Sequence, residues 1–268
     1  MSQNKENKKD LKYLIDIMET LRGPNGCPWD KEQTLKTLKP HTLEEVHEVL
    51  HAIDTDDRQD LKEELGDLLF QIVFACQLTK EEGSFDMGDV IETIAEKMVR
   101  RHPHVFGDGK LETAKEVLSQ WADIKEEEKS LKEASKKGKQ GYLSEIPKTF
   151  PSLIMANKVS EKAAKTGYDW QKVDEIFDKV EEEIEEFKEA LQTKDRDHME
   201  EEMGDILFAL VNLARFTDLD AEEALRRTTN KFITRFHYIE EKLTDKGSSL
   251  TEATLDEMEE LWNESKQV

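Results

Sequence analysis

Residues 62–75 read KEELGDLLFQIVFA, and residues 200–213 read EEEMGDILFALVNL. Each copy gives Glu, two residues, Asp and then an apolar run, so Glu64 with Asp67 and Glu202 with Asp205 fall one helical turn apart on one side of a helix. Upstream, Glu45 and Glu48 lie in LEEVHEVL, and Glu183 and Glu186 lie in EEEIEEF. The offsets 183−45, 186−48, 202−64 and 205−67 are all 138, so no net insertion separates the copies between the first acid and the last. The simplest unit with this property is a helical hairpin that brings four carboxylates together, present twice.

Working outward, the patterning favours an all-α chain in two tandem helical domains. The 268 residues suffice for two modest domains, and 12 Gly with 6 Pro suit long helices. Leu11, Leu14, Ile15, Met18 and Leu21 keep the helical rhythm until Gly23-Pro24, and residues 26–30, GCPWD, read as a turn. Thr42 is placed to cap a helix from Leu43 to about Ile53, with Glu45 as its capping-box partner. A second helix starts after Asp57, and its apolar run implies burial from Leu68 to Cys76. Gly66 costs helix stability relative to Ala, which suggests close packing against it. A third helix covers roughly Met87 to Arg101, and a fourth carries Trp121. The charged stretch 126–141 reads as a linker, giving domains at 1–128 and 147–268 with 129–146 between them. The second half repeats the order of parts: a Trp-containing turn (GYDW, 167–170), the acidic hairpin, a helix with Lys231 and Arg235, and a last helix with Trp262.

Charge narrows the partners. With 39 basic and 61 acidic residues the formal charge is −22, which repels a nucleic-acid backbone or an anionic membrane. Any polyanionic substrate then needs local cations or metal to be held. Gln71 interrupts the longest apolar run well short of a membrane span, and the first ten residues, MSQNKENKKD, hold no apolar stretch for a signal peptide. Two cysteines cannot build a disulfide framework, so a reducing cytoplasm is expected.

Four clustered carboxylates repel one another unless a cation joins them, and Mg²⁺ takes carboxylate, water and phosphate oxygens. A Glu-rich helix in so acidic a chain is ordinarily a solvated face. Here the ExxD pair opens a buried helix, and all four acids recur at one offset while neighbouring surface positions differ. That favours a metal site. Lys97, Arg100 and Arg101, and Lys231 and Arg235, are spaced to present cations to phosphate, although basic residues also suit a helix C-terminus. Two other classes remain open on the residues alone. A di-iron carboxylate bundle is suggested by Glu44 with His47 and Glu48 with His51, but the second-half counterparts of both histidines are Glu185 and Glu189. The other is a non-enzymatic helical interaction protein whose acids are merely solvated.

GCPWDKEQT at 26–34, the two acidic hairpins, RRHPHVFGD at 100–108 and NKFITRF at 230–236 together resemble the MazG family of nucleoside triphosphate pyrophosphohydrolases. The likeness covers nearly the whole chain apart from its first residues and the linker. It implies an all-α fold in which a homodimer completes the helical bundle, and Mg²⁺, with Mn²⁺ as a substitute, bound by the EExxE and ExxD helices. It also implies hydrolysis of nucleoside triphosphates between the α and β phosphates, giving a monophosphate and pyrophosphate; a role in clearing non-standard nucleotides is open. Carried onto this sequence, Glu183, Glu186, Glu202 and Asp205 would ligate metal, Lys179, Lys231 and Arg235 would contact phosphates, and Trp262 would lie by the nucleotide. The first half matches with Glu45, Glu48, Glu64 and Asp67 and with Lys97 and Arg101, but His41 stands where the second half has Lys179. The expectation is a working second-half site and a first-half site that is weaker, regulatory or mainly structural.

Overall fold

A computed structural model describes residues 9–135 and 141–267, and among them every regular element is helical. Two compact units divide between Lys136 and Lys137. Of the expected linker, residues 136–140 lie outside the described residues, as do residues 1–8 of the N-terminal stretch and Val268. No helix among the described residues is long and apolar enough to cross a membrane.

The first unit comprises α1 (Leu11–Arg22), α2 (Pro28–Glu32), α3 (Leu35–Asp54), α4 (Arg58–Glu81), α5 (Met87–Arg101), α6 (Pro103–Phe106) and α7 (Ala114–Ser135). The second comprises α8 (Ser152–Ala164), α9 (Val173–Thr193), α10 (Arg196–Phe216), α11 (Ala221–Asp245) and α12 (Leu255–Glu264). The acidic hairpins are α3–α4 and α9–α10, and each is the principal helix pair of its unit. Their turns repeat in detail. Asp56 and Lys194, 138 apart, both adopt the left-handed conformation, with φ of 54° and 56°. The residues that follow, Asp57 and Asp195, cap α4 and α10 by accepting two backbone N–H bonds each.

Four local expectations are corrected. Thr42 does not start a helix: α3 begins after Thr34, which forms a capping box with Thr37, and Thr42 lies inside the helix with its hydroxyl donating to the Leu38 carbonyl. Glu45 therefore caps nothing. Pro40 sits within α3 because the turn before it is anchored by Leu38, which is buried with Met18, Val73, Phe74 and Leu78. Tertiary burial outweighs the one backbone bond that proline removes. Residues 28–32 are a short helix rather than a bare turn, since Pro28 at its first position needs no N–H partner there.

The remaining two corrections concern the face of each hairpin. Val73, Phe74 and Cys76 are buried as expected, but Leu69 and Ile72 are exposed, because α1, α3 and α5, the helices packed on α4, leave those side chains uncovered. A Cβ built on Gly66 meets nothing within 4 Å, so close packing within the unit is not its reason; Gly204, its repeat partner, is equally open. The open face recurs: Val46 and Ile184, Ile53 and Leu191, Leu65 and Met203, Leu69 and Leu207, and Ile72 and Leu210 are exposed at the same offset of 138. In the second unit a smaller core forms around Ile239, Leu243 and Leu261, with Phe236 and Trp262 against it.

Candidate active site

The EExxE spacing puts Glu183 and Glu186 on one side of α9, and the hairpin brings α10 alongside. Oxygens of Glu183, Glu186 and Glu202 lie within 4.8 Å of one another. Glu183 and Glu202 are buried and Glu186 is exposed. Asp205, one turn beyond Glu202, is exposed and lies outside this trio.

Two cationic or donor groups contact the buried carboxylates. Lys179 Nζ stands 2.7 Å from Glu183 and 3.1 Å from Glu182, and these carboxylates, Glu183 first, push the lysine above its ordinary pKa. His198 Nε2 lies 3.1 Å from Glu202 Oε1. Glu202 is only 8% exposed, and its second oxygen, Oε2, is buried without a hydrogen-bond partner. Such an oxygen is costly unless something positive reaches it. Glu186 is pushed above the ordinary carboxylate range, by desolvation first and then by Glu183 and Glu202, against the opposing charge of Lys179. An all-oxygen donor set with crowded negative charge and an orphaned buried oxygen fits a hard divalent cation such as Mg²⁺.

Lys231 and Arg235 come from α11, which packs against α8 and α10. Lys231 is exposed. Arg235 lies over the indole of Trp262, its guanidinium carbon 5.5 Å from the ring centroid, and Phe232 stands against the same indole at 5.0 Å. Trp262 is thus half-buried, with Arg235 held on its face.

The first unit repeats the trio with different neighbours. Glu45, Glu48 and Glu64 bring oxygens within 4.8 Å, but none of the three is fully buried. Burial and neighbouring acids raise both Glu45 and Glu64: after desolvation, Asp67 and Glu48 act on Glu45, and Glu48, Asp60, Asp67 and Glu45 act on Glu64. Asp67 itself is exposed. His41, at the Lys179 position, stands edge-on to Trp29 at 5.9 Å and 3.9 Å from Glu44. Neither trio contains a histidine, and His47 and His51, the residues that raised the di-iron reading, are exposed. Lys97 is half-buried on α5, while Arg101 is committed elsewhere, its Nη2 2.6 Å from Glu128 Oε2 on α7.

Two residues that matter here escaped the reading of the sequence. His198 carried a faint signal, four residues before Glu202, but its counterpart at the repeat offset is Asp60. Glu128 carried none, since it lies in a charge-rich stretch that resembles linker.

Comparison with known proteins agrees in both halves. The model of the MazG nucleotide pyrophosphohydrolase domain matches residues 33–106 and again 171–239. A nucleoside triphosphate pyrophosphohydrolase from Escherichia coli K12 is 47% identical over 256 residues, spanning 94% of this chain and 95% of its own. A nucleoside triphosphate pyrophosphohydrolase/pyrophosphatase MazG from Thermotoga maritima is 45% identical over 253 residues, spanning 94% of both chains. The crystal structure of a mazG-related protein from the same organism is 27% identical and covers 43% of this chain and 99% of that one, with a TM-score of 0.38.

Proposed function

Since the chain belongs to the MazG nucleotide pyrophosphohydrolase family, we propose that it is a Mg²⁺-dependent hydrolase that cleaves nucleoside triphosphates between the α and β phosphates at its second-half carboxylates. The observation that carries this is the trio Glu183, Glu186 and Glu202, in which a buried oxygen lacks any donor. These three, joined by Asp205, hold the Mg²⁺, with Mn²⁺ as a substitute. A divalent cation held there would supply electrostatic stabilisation of the charge that develops on phosphate and would lower the pKa of water.

The chain's own groups do the rest. Lys179, Lys231 and Arg235 bind the phosphates, and they supply the cations that a chain of net charge −22 otherwise denies a triphosphate. A carboxylate of the trio accepts a proton from the attacking water and orients it in line with the leaving pyrophosphate. Trp262, half-buried beside Arg235, lies by the nucleoside in this reading. Stacking on an indole tolerates any base, so this contact sets no base preference; the clearing of non-standard nucleotides is included in the proposal, and equal turnover of standard and damaged triphosphates would overturn it. Nucleoside triphosphates are metabolites of the cytoplasm, and the proposal includes that compartment.

The first-half trio is a weaker, regulatory or structural site in this proposal. It lacks the Lys179 cation, carries the extra charge of Asp60, and has Arg101 tied to Glu128. A second copy of the chain covers the exposed apolar faces of the hairpins and completes each bundle, since surface of this extent is ordinarily buried.

Product analysis tests the reading. Nucleoside triphosphate incubated with Mg²⁺ and the protein is expected to give monophosphate and pyrophosphate, with turnover lost in Glu202→Gln and kept in Glu64→Gln. Diphosphate and phosphate as products, or undiminished turnover in Glu202→Gln, would overturn it.

A further inference from the structure

We propose that His198 is a positioning residue: it holds one oxygen of Glu202 so that the other is left for the divalent cation. The inference rests on the metal reading above and deepens it.

The geometry is built from the start of α10. Asp195 caps the helix by accepting the backbone N–H of Asp197 at 3.1 Å and of His198 at 3.3 Å, which fixes the backbone that carries the imidazole. Four residues on, Glu202 projects from the same side of the helix. The imidazole Nε2 stands 3.1 Å from Oε1, while Oε2 is buried and has no donor. One carboxylate is therefore divided between two duties. Across the hairpin, Lys179 contacts Glu183 at 2.7 Å, so each buried member of the trio has one flanking group on its own helix, four residues before it. Neighbours of this kind fix the orientation of ligating carboxylates.

The first unit serves as an internal comparison. The same register places Asp60 before Glu64 and His41 before Glu45. Asp60 can orient nothing acidic, and its charge adds to that already on Glu64. Glu64 is correspondingly half-buried where Glu202 is buried. The two trios share their acids and differ in the groups that hold them.

The test is Mg²⁺ titration of the nucleotide-free full-length protein by calorimetry, in a Glu64→Gln background that silences the first trio. It compares His198→Ala, His198→Gln and Glu202→Gln, with thermal melts of each without metal. His198→Ala is expected to weaken Mg²⁺ binding roughly 10- to 100-fold with an unchanged metal-free melt, since His198 lies at a partly exposed helix start. His198→Gln, whose amide N–H can reach Glu202, restores most of the affinity. In turnover, His198→Ala shifts the Mg²⁺ concentration needed for half-maximal rate far more than the rate at saturating Mg²⁺. Unchanged affinity in His198→Ala, with binding lost in Glu202→Gln, overturns the positioning role and leaves the metal reading standing. Unchanged affinity in Glu202→Gln overturns both. A loss in His198→Ala that Gln does not restore, accompanied by a lower metal-free melt, marks a merely structural contact and also overturns the proposal.

Discussion

Arg101 and Glu128 close an ion pair at 2.6 Å, and Arg100 takes the other oxygen of the same carboxylate at 2.8 Å. Two guanidinium forks on one acid tie α5 to α7 in the first unit. In the second unit Arg235, on the corresponding basic helix, lies instead on the face of Trp262. A basic helix thus ends in an ion-paired clasp in one half and carries a guanidinium on an indole face in the other.

The clasp sets a pH dependence. Hydrogen bonds from Arg101 and then Arg100 hold Glu128 down from the ordinary 4.5 to about 2. A carboxylate with a depressed folded-state pKa stabilises the fold fully above its unfolded value, and that contribution disappears as pH falls from about 4.5 toward about 2. Glu128→Gln is therefore expected to be less stable than the parent at pH 7, with the difference narrowing below pH 4.5. Urea denaturation across pH 3 to 7 reads this directly, and a constant difference would contradict it.

Arg235→Ala should cost phosphate binding. A charge-assisted hydrogen bond contributes about 1.5–3 kcal/mol, which corresponds to a KM raised roughly 10- to 100-fold. Steady-state kinetics at saturating Mg²⁺ separates this from metal loss. Arg235→Lys should recover only part of the effect, because an ammonium neither forks onto phosphate nor stacks as a planar group on Trp262.

The hairpin turn carries a removable strain. Lys194 is left-handed at φ 56°, which costs a residue with a Cβ about 1–2 kcal/mol. Glycine recovers some of that and loses some to its own chain entropy. Lys194→Gly is expected to leave turnover intact and raise stability by up to about 1 kcal/mol. Chemical denaturation followed at the second unit measures it, and a clear destabilisation would show the turn to be shaped by something other than backbone conformation.

Leu207 and Leu69, exposed at matching positions of α10 and α4, supply the test of self-association. Leu207→Glu together with Leu69→Glu places charge where a second copy is proposed to pack, and light scattering should show a dimer becoming a monomer. A parent protein that is monomeric at every concentration would remove the partner from the proposal.

The hairpins were legible because the repeat is self-checking: a spacing that recurs at one offset across four acids marks the same element twice, and both copies fold as paired helices. The start of α3 was not, because Pro40 looks like a break until Leu38 is seen buried beneath it. Burial from Leu68 to Cys76 was overstated for a related reason. An apolar run shows that a surface will be covered but not by what, and within the unit Leu69 and Ile72 find no cover. Gly66 and Gly204 belong to the same open face. His198 could be identified only after the hairpin had placed it beside a buried carboxylate.

The turn at Asp56 and Lys194 also constrains how such a protein can change over generations. One residue added within α9 or α10, between the acids and that turn, would rotate everything beyond it by about 100° and carry the acids away from one another. Length is therefore the quantity this hairpin cannot vary, while side chains remain exchangeable. A copy freed from chemistry would be expected to drift in charge long before it drifts in length. The two halves differ in charge at an unaltered spacing, with His41 at the position of Lys179 and Asp60 at that of His198.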